Sequence, residues 1–118
     1  RLRDTLGEHL EECHFSTVVL YELEYCVAKR PDLMALRQRV DSLRAMFPAL
    51  APFDDLAAFQ AAQVRAYLEG MKPNAQPIGH YDLLLAGQSL ALGATIVTHN
   101  RKEFERVPGL KIEDWQTP

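Results

Sequence analysis

The sequence is poor in cysteine, with Cys13 and Cys26 as its two thiols. They form no C-x-x-C pair, and no histidine stands beside them at the spacing of a zinc ligand. A disulfide framework and a structural zinc site are therefore both disfavoured. We expect two buried free thiols that contribute packing and no chemistry.

Long apolar runs are also missing. The longest run lies around Leu83 and is interrupted by Gly87-Gln88-Ser89, well short of the roughly 20 residues that a membrane-spanning helix needs. The chain opens with Arg-Leu-Arg and shows neither the charged nor the apolar region of a signal peptide. These absences predict a cytoplasmic protein without a membrane segment.

Positive charge is not in excess, because the formal net charge is −3. This disfavours a protein that binds nucleic acid through a basic surface alone. A metal-dependent nuclease remains compatible with the charge, since its site must be acidic to hold the cations that meet the phosphate. Arg37, Arg39 and Arg44 share one predicted helix, and we interpret them as a solvated face.

What the sequence does contain is an ordinary globular composition, 47% hydrophobic and 25% charged over 118 residues, which predicts a single domain over residues 1–118. Helical periodicity, caps and breakers predict alternating helices and strands, an α/β pattern. The predicted helices cover 2–12, 17–29, 33–46, a long segment ending at 69, a buried segment ending before Gly93, and 102–106; the predicted strands cover 13–15, 50–53, 94–97 and 110–112. Ser16, Asp32 and either Asp54 or Asp55 are the predicted N-caps, and residues 71–79 form the one substantial loop.

Polar side chains gather where a strand is predicted to end. Asp82 stands in the first turn of an otherwise apolar helix, and Thr98 to Glu103 follow the strand after it. In open α/β sheets, functional groups collect at this edge, beside helix N-termini. The alternative for Asp82 is a favourable interaction with the helix dipole alone. His99 is a candidate RNA contact, although a lone histidine at a strand end is more often unengaged.

Glu22 is the other candidate acid. It shares a helical row with Val18, Val19, Tyr25 and Cys26, so the pattern directs it into an apolar region where an unpaired carboxylate is costly. A metal ion or a basic neighbour would compensate for it; the alternative is a carboxylate that reaches solvent at the edge of the helix. Glu24 lies on another row and is interpreted as structural.

Three segments together resemble the PIN-domain ribonuclease toxins of the VapC type: STVVLYELEY at 16–25, PIGHYDLLLAGQSLALGATIVTHNRKEF at 77–104, and VPGLKIEDW at 107–115. They occur in the family's order and spacing over nearly the whole chain. The resemblance implies a PIN-like three-layer α/β/α sandwich with a mainly parallel central sheet. It also implies a toxin that acts as a Mg²⁺- or Mn²⁺-dependent endoribonuclease on structured RNA, with tRNA as a candidate substrate.

The same resemblance implies the site residues and partners. Glu22 falls on the acid of the family's S-x-x-x-x-x-E-L motif, and Asp82 on a second acid. Asn100 and Glu103 stand at two variants of the position after the last strand. The implied catalytic set is Glu22, Asp82, Asn100 and Glu103, with Glu22, Asp82 and Glu103 as metal ligands. A cognate antitoxin, RNA and a second copy of the chain are the implied partners.

The chain departs from the family pattern in one respect. The family begins with an apolar strand that ends in an Asp-Thr-Asn motif carrying a further acid, and no such segment occurs here; Asp4-Thr5 lies in a charged helical pattern. An alternative is therefore a catalytically incomplete interaction module that dimerises and binds antitoxin without cleaving RNA. A nuclease directed at DNA is a third possibility. The apolar face with Leu36, Val40 and Phe47 is interpreted as core, with an interface as its alternative.

Overall fold

The computed structural model describes residues 12–71 and 78–115. Its elements follow in the order β1 (His14–Ser16), α1 (Thr17–Lys29), α2 (Met34–Ala45), β2 (Ala49–Ala51), α3 (Asp55–Glu69), α4 (His80–Leu92), β3 (Thr95–Val97), α5 (Arg101–Phe104) and β4 (Lys111–Glu113). This is the α/β alternation that the sequence predicts. The helix predicted over 2–12 and most of the loop predicted over 71–79 lie outside the described residues. Across the described ranges, no helix is both long and apolar enough to cross a membrane.

The described residues fall into two compact units, an N-terminal unit over 12–52 and a C-terminal unit over 53–115. In the N-terminal unit, β1 and β2 pair in parallel, with Phe15 opposite Leu50. Parallel neighbours require a crossover connection, and α1 and α2 supply it. The single domain predicted over 1–118 stays a prediction.

The core of the N-terminal unit is built around the apolar face of α2. Val40 is 4% exposed, Phe15 on β1 is buried, and the rings of Phe15 and Phe47 stack with their centroids 5.2 Å apart. Offset aromatic stacking of this kind adds to the free energy of burying the rings. The face of α2 that was interpreted as core is therefore core at these positions.

Helix α1 begins where its cap is predicted. The Ser16 Oγ accepts a hydrogen bond from the Val18 amide at 3.0 Å, and the extended backbone of Ser16 is that of an N-cap. This bond satisfies one of the free amides of the first turn. The helix ends at Lys29, ahead of Pro31, as a proline requires of the residues before it.

Helix α2 begins differently from the prediction. Asp32 was expected to cap it, but the N-cap is Leu33, and no side chain makes a capping hydrogen bond. The Asp32 carboxylate instead accepts two hydrogen bonds from the Arg30 guanidinium, at 3.3 and 3.4 Å. A charged donor two residues away competes successfully with the uncharged amides of the helix terminus.

A forked ion pair joins α1 to α2. Two guanidinium nitrogens of Arg37 donate to the two carboxylate oxygens of Glu24, at 2.8 and 2.6 Å, and one of them also donates to Asp41 at 2.7 Å. The pair lowers the pKa of Glu24 and raises that of Arg37. Glu24 therefore has the structural role expected of it. The solvated face expected for Arg37 is wrong, because its guanidinium is half-buried between carboxylates.

The expectation of two buried thiols is also wrong in part. Cys13 is half-buried and Cys26 is exposed. Burial, together with the nearby charge of Glu12, raises the pKa of the Cys13 thiol. Cys26 is exposed because it lies beside Tyr25 on the outward side of α1, and that tyrosine is itself 53% exposed. Sequence periodicity did not separate the two sides of this nearly all-apolar helix.

The C-terminal unit is organised by close packing of α3 against α4. A β-carbon added at Gly87 of α4 would lie 2.5–2.6 Å from the backbone and side chain of Ala61 on α3. The two helices therefore touch through backbone at this point. The core cluster beside them contains Val64, Leu68, Leu83, Ala86, Phe104 and Val107.

The ends of α3 and α4 agree with the sequence signals. Asp54 caps α3, with its carboxylate accepting from the Ala57 amide at 3.0 Å. Helix α4 ends at Gly93, whose φ of 64° is left-handed and costs glycine little. The chain then enters β3, which pairs in parallel with β4, with Ile96 opposite Ile112.

The contact at Gly87 gives a test of this packing. Replacing Gly87 with Ala should lower the free energy of unfolding by about 1–3 kcal/mol, because the added methyl group must push α3 and α4 apart. Urea unfolding curves measure the loss.

Gly70→Ala is the matched control, since a β-carbon there meets its nearest neighbours at 3.4 and 3.5 Å and φ is −78°. It should be neutral or stabilising by up to about 1 kcal/mol. Equal stability of the two variants would contradict the close approach at Gly87.

Candidate active site

Asp82 is held at the start of α4. The helix begins after Gly79, an N-cap that has no side chain to bond the first turn, and Asp82 occupies that turn. A β-carbon added at Gly79 would lie 3.8 Å from the Asp82 Oδ2, so the carboxylate leans back over the helix terminus. Asp82 is half-buried, while Leu83 beside it is in the core. The core contact of its neighbour thus fixes where the carboxylate lies.

The surroundings of Asp82 disfavour the ionised form of its carboxyl group. Burial, and then the nearby negative charge of Glu103, raise the pKa of the Asp82 carboxyl above its ordinary value of 3.8. A helix N-terminus acting alone would stabilise the carboxylate and lower that pKa. Burial and the second acid act in the opposite direction to the helix dipole. The functional role of Asp82 stays a prediction.

Glu103 comes to Asp82 from α5. This helix has four residues, and its last residue, Phe104, is 2% exposed and anchors it in the core. The Glu103 carboxylate accepts a hydrogen bond from the Arg106 Nη2 at 3.0 Å. Glu103 is therefore paired with a basic side chain and is not an isolated surface charge. Arg106 was not singled out from the sequence, although its spacing of three residues from Glu103 is a usual signal for an ion pair.

The turn between β3 and α5 is built from Thr98 and Asn100. The Thr98 amide donates to the Glu113 carbonyl at 2.9 Å and extends the pairing of β3 with β4. The Thr98 Oγ1 accepts from the Asn100 amide at 3.0 Å. Asn100 is the N-cap residue of α5, but its side chain makes no capping hydrogen bond, and the residue is exposed. The side-chain carboxamide of Asn100 therefore lies at the surface, beside the end of β3.

His99 is not a lone histidine. Its Nδ1 lies 3.1 Å from the Asp114 Oδ2, and the two side chains are 67% and 11% exposed. Each residue follows one of the paired strands, β3 or β4. The carboxyl ends of parallel neighbours meet at one edge, which brings the two together although they are far apart in the sequence. The position of Asp114, two residues after the strand predicted over 110–112, was the available signal, and the sequence did not specify its partner.

Glu22 lies in the N-terminal unit, on α1, and is half-buried. Val18 on the same helical row is buried, but Tyr25 and Cys26 are exposed. The prediction that this row lies wholly in an apolar region is therefore wrong at its C-terminal end, where the row reaches the surface. The role of Glu22 stays a prediction that depends on its motif.

The carboxylates suit a hard divalent cation. Mg²⁺ and Mn²⁺ take oxygen ligands, commonly one or two carboxylates, and the mutual repulsion of Asp82 and Glu103 is what a cation would relieve. Within the described ranges, neither unit brings together three or more Asp, Glu, His or Cys side chains as a metal site. The pair of acids therefore fits a cation as part of a ligand set.

The chain resembles known proteins along almost its whole length. The family model described as "PIN domain" matches residues 1–110. A relative from Salmonella typhimurium, named tRNA(fMet)-specific endonuclease VapC, is 30% identical over 97% of this chain and 83% of its own length. Ribonuclease VapC2 of Rickettsia felis is 34% identical over 85% of this chain and 72% of its own length.

Solved structures show the same similarity. The DNA-bound VapBC of Salmonella typhimurium superposes with a TM-score of 0.87 at 31% identity, covering 97% of this chain and 83% of that chain. VapBC2 of Rickettsia felis, bound to a DNA fragment from its promoter, gives a TM-score of 0.84 at 30% identity, covering 96% and 83%. The predicted PIN-like fold is thus confirmed.

The raised pKa of Asp82 has a consequence for stability. A pKa that is higher in the folded than in the unfolded state means that the ionised Asp82 carboxylate destabilises the folded protein. This cost decreases as the pH falls through the folded-state pKa, and it is absent below the ordinary value of about 3.8. Asp82→Asn should therefore raise the free energy of unfolding at pH 7 by about 0.5 kcal/mol, a modest gain because partial exposure screens the charge. Thermal melts in a metal chelator from pH 7 to pH 4 should show the gain shrinking.

Asp55→Asn is the matched control. Asp55 is an exposed acid in the first turn of α3, and its Oδ1 accepts from the Leu56 amide, so its loss should be neutral or destabilising by up to about 1 kcal/mol. A destabilised Asp82→Asn protein at pH 7 would contradict the unfavourable charge at Asp82.

Proposed function

Because this chain belongs to the PIN-domain family, and within it to the VapC group, we propose that it is the toxin of a toxin–antitoxin pair. Its activity is divalent-cation-dependent endonucleolytic hydrolysis of RNA, with Mg²⁺ or Mn²⁺ as the cation. The observation that carries the chemistry is the pairing of Asp82 with Glu103, two carboxylates that repel each other beside a helix N-terminus.

The proposed roles follow from the donor atoms. Asp82 and Glu103 would hold the cation through carboxylate oxygens, and Glu22 is the further acid that the family motif implies. When bound, a divalent cation lowers the pKa of a water molecule and neutralises the scissile phosphate. Arg106 restrains the Glu103 carboxylate through its hydrogen bond. Asn100 presents an exposed amide that orients the RNA backbone. No covalent intermediate with the protein is needed.

The proposed substrate is tRNA. The Salmonella relative is named a tRNA(fMet)-specific endonuclease, and the Rickettsia relative is named a ribonuclease. The net charge of −3 supports binding that depends on a cation rather than on a basic surface alone. A cytoplasmic location belongs to the same proposal, because tRNA is found there.

The proposed partners are a cognate antitoxin and a second copy of the chain. Both similar solved structures are complexes titled VapBC. Val40 of α2 and Phe47, which follows this helix, are occupied by core packing, so these side chains are poor candidates for the contact. Met34 and Met46, at the two ends of α2, are exposed at 65% and 42% and are better candidates.

A second candidate function is an interaction module that binds antitoxin without cleaving RNA. It is favoured by the absence, within the described residues, of a group of three metal-ligating side chains in either unit. Activity measurements on the full-length gene product separate the two functions, because the module would bind antitoxin and leave RNA intact.

The proposed chemistry predicts how acid substitutions act. In the full-length protein, Asp82→Asn, Glu103→Gln and Glu22→Gln should each reduce Mg²⁺-dependent cleavage of a tRNA pool by about a hundredfold or more. Even residues that only support metal ligands are worth about ten- to a hundredfold. Gel analysis of cleavage with Mg²⁺, with Mn²⁺ and with a chelator measures the effect.

Glu105→Gln serves as the matched control, because Glu105 lies two residues from Glu103 but is exposed and paired with Arg101. It should cleave like the wild type. Duplex and single-stranded DNA in the same assay test the DNA-directed alternative. Equal cleavage of RNA by the wild type and all three acid variants would contradict the carboxylate mechanism.

A further inference from the structure

The contact between His99 and Asp114 lies outside the roles assigned so far. Asp114 is almost buried, whereas the imidazole it holds is two-thirds exposed. A side chain anchored at one nitrogen and open at the other is prepared to meet a ligand. This inference rests on the proposed function, since the ligand it concerns is RNA.

The turn around His99 is restrained from several sides. The amide of Thr98 is bonded to the carbonyl of Glu113, and the Asn100 amide is bonded to Thr98. His99 lies between these two bonded residues, and its ring is bonded to Asp114, which follows Glu113. Backbone and side-chain contacts to the end of β4 therefore hold the imidazole at the strand ends, four residues before Glu103.

The contact sets the hydrogen-bonding character of the open nitrogen. A carboxylate accepts hydrogen bonds, so the Nδ1 that faces Asp114 carries the proton and donates. In the neutral ring the other nitrogen, Nε2, then carries a lone pair and accepts. Phosphate oxygens have no hydrogen to give to such an acceptor. The ribose 2′-hydroxyl does, and every RNA nucleotide carries one, whereas DNA carries none.

We propose that His99, oriented by Asp114, accepts a hydrogen bond from a ribose 2′-hydroxyl of the bound RNA and thereby helps the site to select RNA over DNA. His99 touches the substrate, and Asp114 is a positioning residue that acts through it. The contact contributes to binding of the substrate rather than to the reacting atoms.

The test uses the full-length protein in two stages. First, the wild type is offered a tRNA pool with Mg²⁺, and the cleaved position is mapped. A short synthetic RNA that spans this position, and a set of versions with a single 2′-deoxynucleotide, are then the substrates. His99→Ala should raise KM about threefold to tenfold and leave kcat nearly unchanged, as expected for the loss of one hydrogen bond made to the bound substrate.

Coupling between the changes identifies the contact. One of the 2′-deoxy substitutions should raise KM for the wild type by the same factor and have no further effect on His99→Ala. Asp114→Asn alone should also raise KM. When it is combined with His99→Ala, it should raise KM no further. His14→Ala, which removes an exposed histidine from β1, should behave like the wild type. Circular dichroism verifies that each variant is folded.

The outcomes separate the two proposals. If the wild type cleaves no RNA, the proposed function fails and this inference fails with it. If the wild type cleaves RNA and His99→Ala has an unchanged KM, the inference alone is overturned. A raised KM that no 2′-deoxy substitution reproduces also overturns it, because the donor is then not a ribose hydroxyl.

Discussion

Two negative charges, those of Asp82 and Glu103, are held near each other in the C-terminal unit. Asp82 is held by a helix whose next residue is in the core, and Glu103 by a short helix anchored through buried Phe104. Neither element can move away from the other without loss of core packing. Burial, and after it the charge of Glu103, raise the pKa of the Asp82 carboxyl. The two carboxylates are thus kept together at a cost in stability.

The packing of the other elements in this unit positions the residues that follow β3 and β4. Close backbone packing at Gly87 fixes α4 against α3, and left-handed Gly93 turns the chain into β3. The parallel pairing of β3 with β4 then brings the residues after both strands together. His99 and Asp114 meet for that reason. A single geometric rule, that parallel strands end at one edge, thus accounts for the anchored imidazole, whereas the acid pair depends on the packing of α4 and α5 in one core.

Much of the fold was predictable because its signals are local. The cap at Ser16, the stop at Gly93 and the alternation of helices with strands depend on neighbouring residues alone. Predictions failed where a competing partner decided the outcome. The Asp32 carboxylate bonds Arg30 instead of capping α2. Arg37 forms an ion pair with Glu24 that joins α1 to α2.

The site was predictable only as a set of candidates. Position in an element, together with family resemblance, pointed to Asp82 and Glu103, but their interaction depends on packing between α4 and α5. The partners Arg106 and Asp114 were missed, since their roles follow from which side chain lies opposite them.

Calorimetric titration of Mn²⁺ into the full-length protein tests the central claim most directly. Binding should occur in the wild type and in Glu105→Gln. It should be weakened at least about tenfold in Asp82→Asn and in Glu103→Gln, because each variant removes one of the carboxylates that share the cation. Unchanged affinity in both acid variants would show that the two carboxylates do not form a cation site.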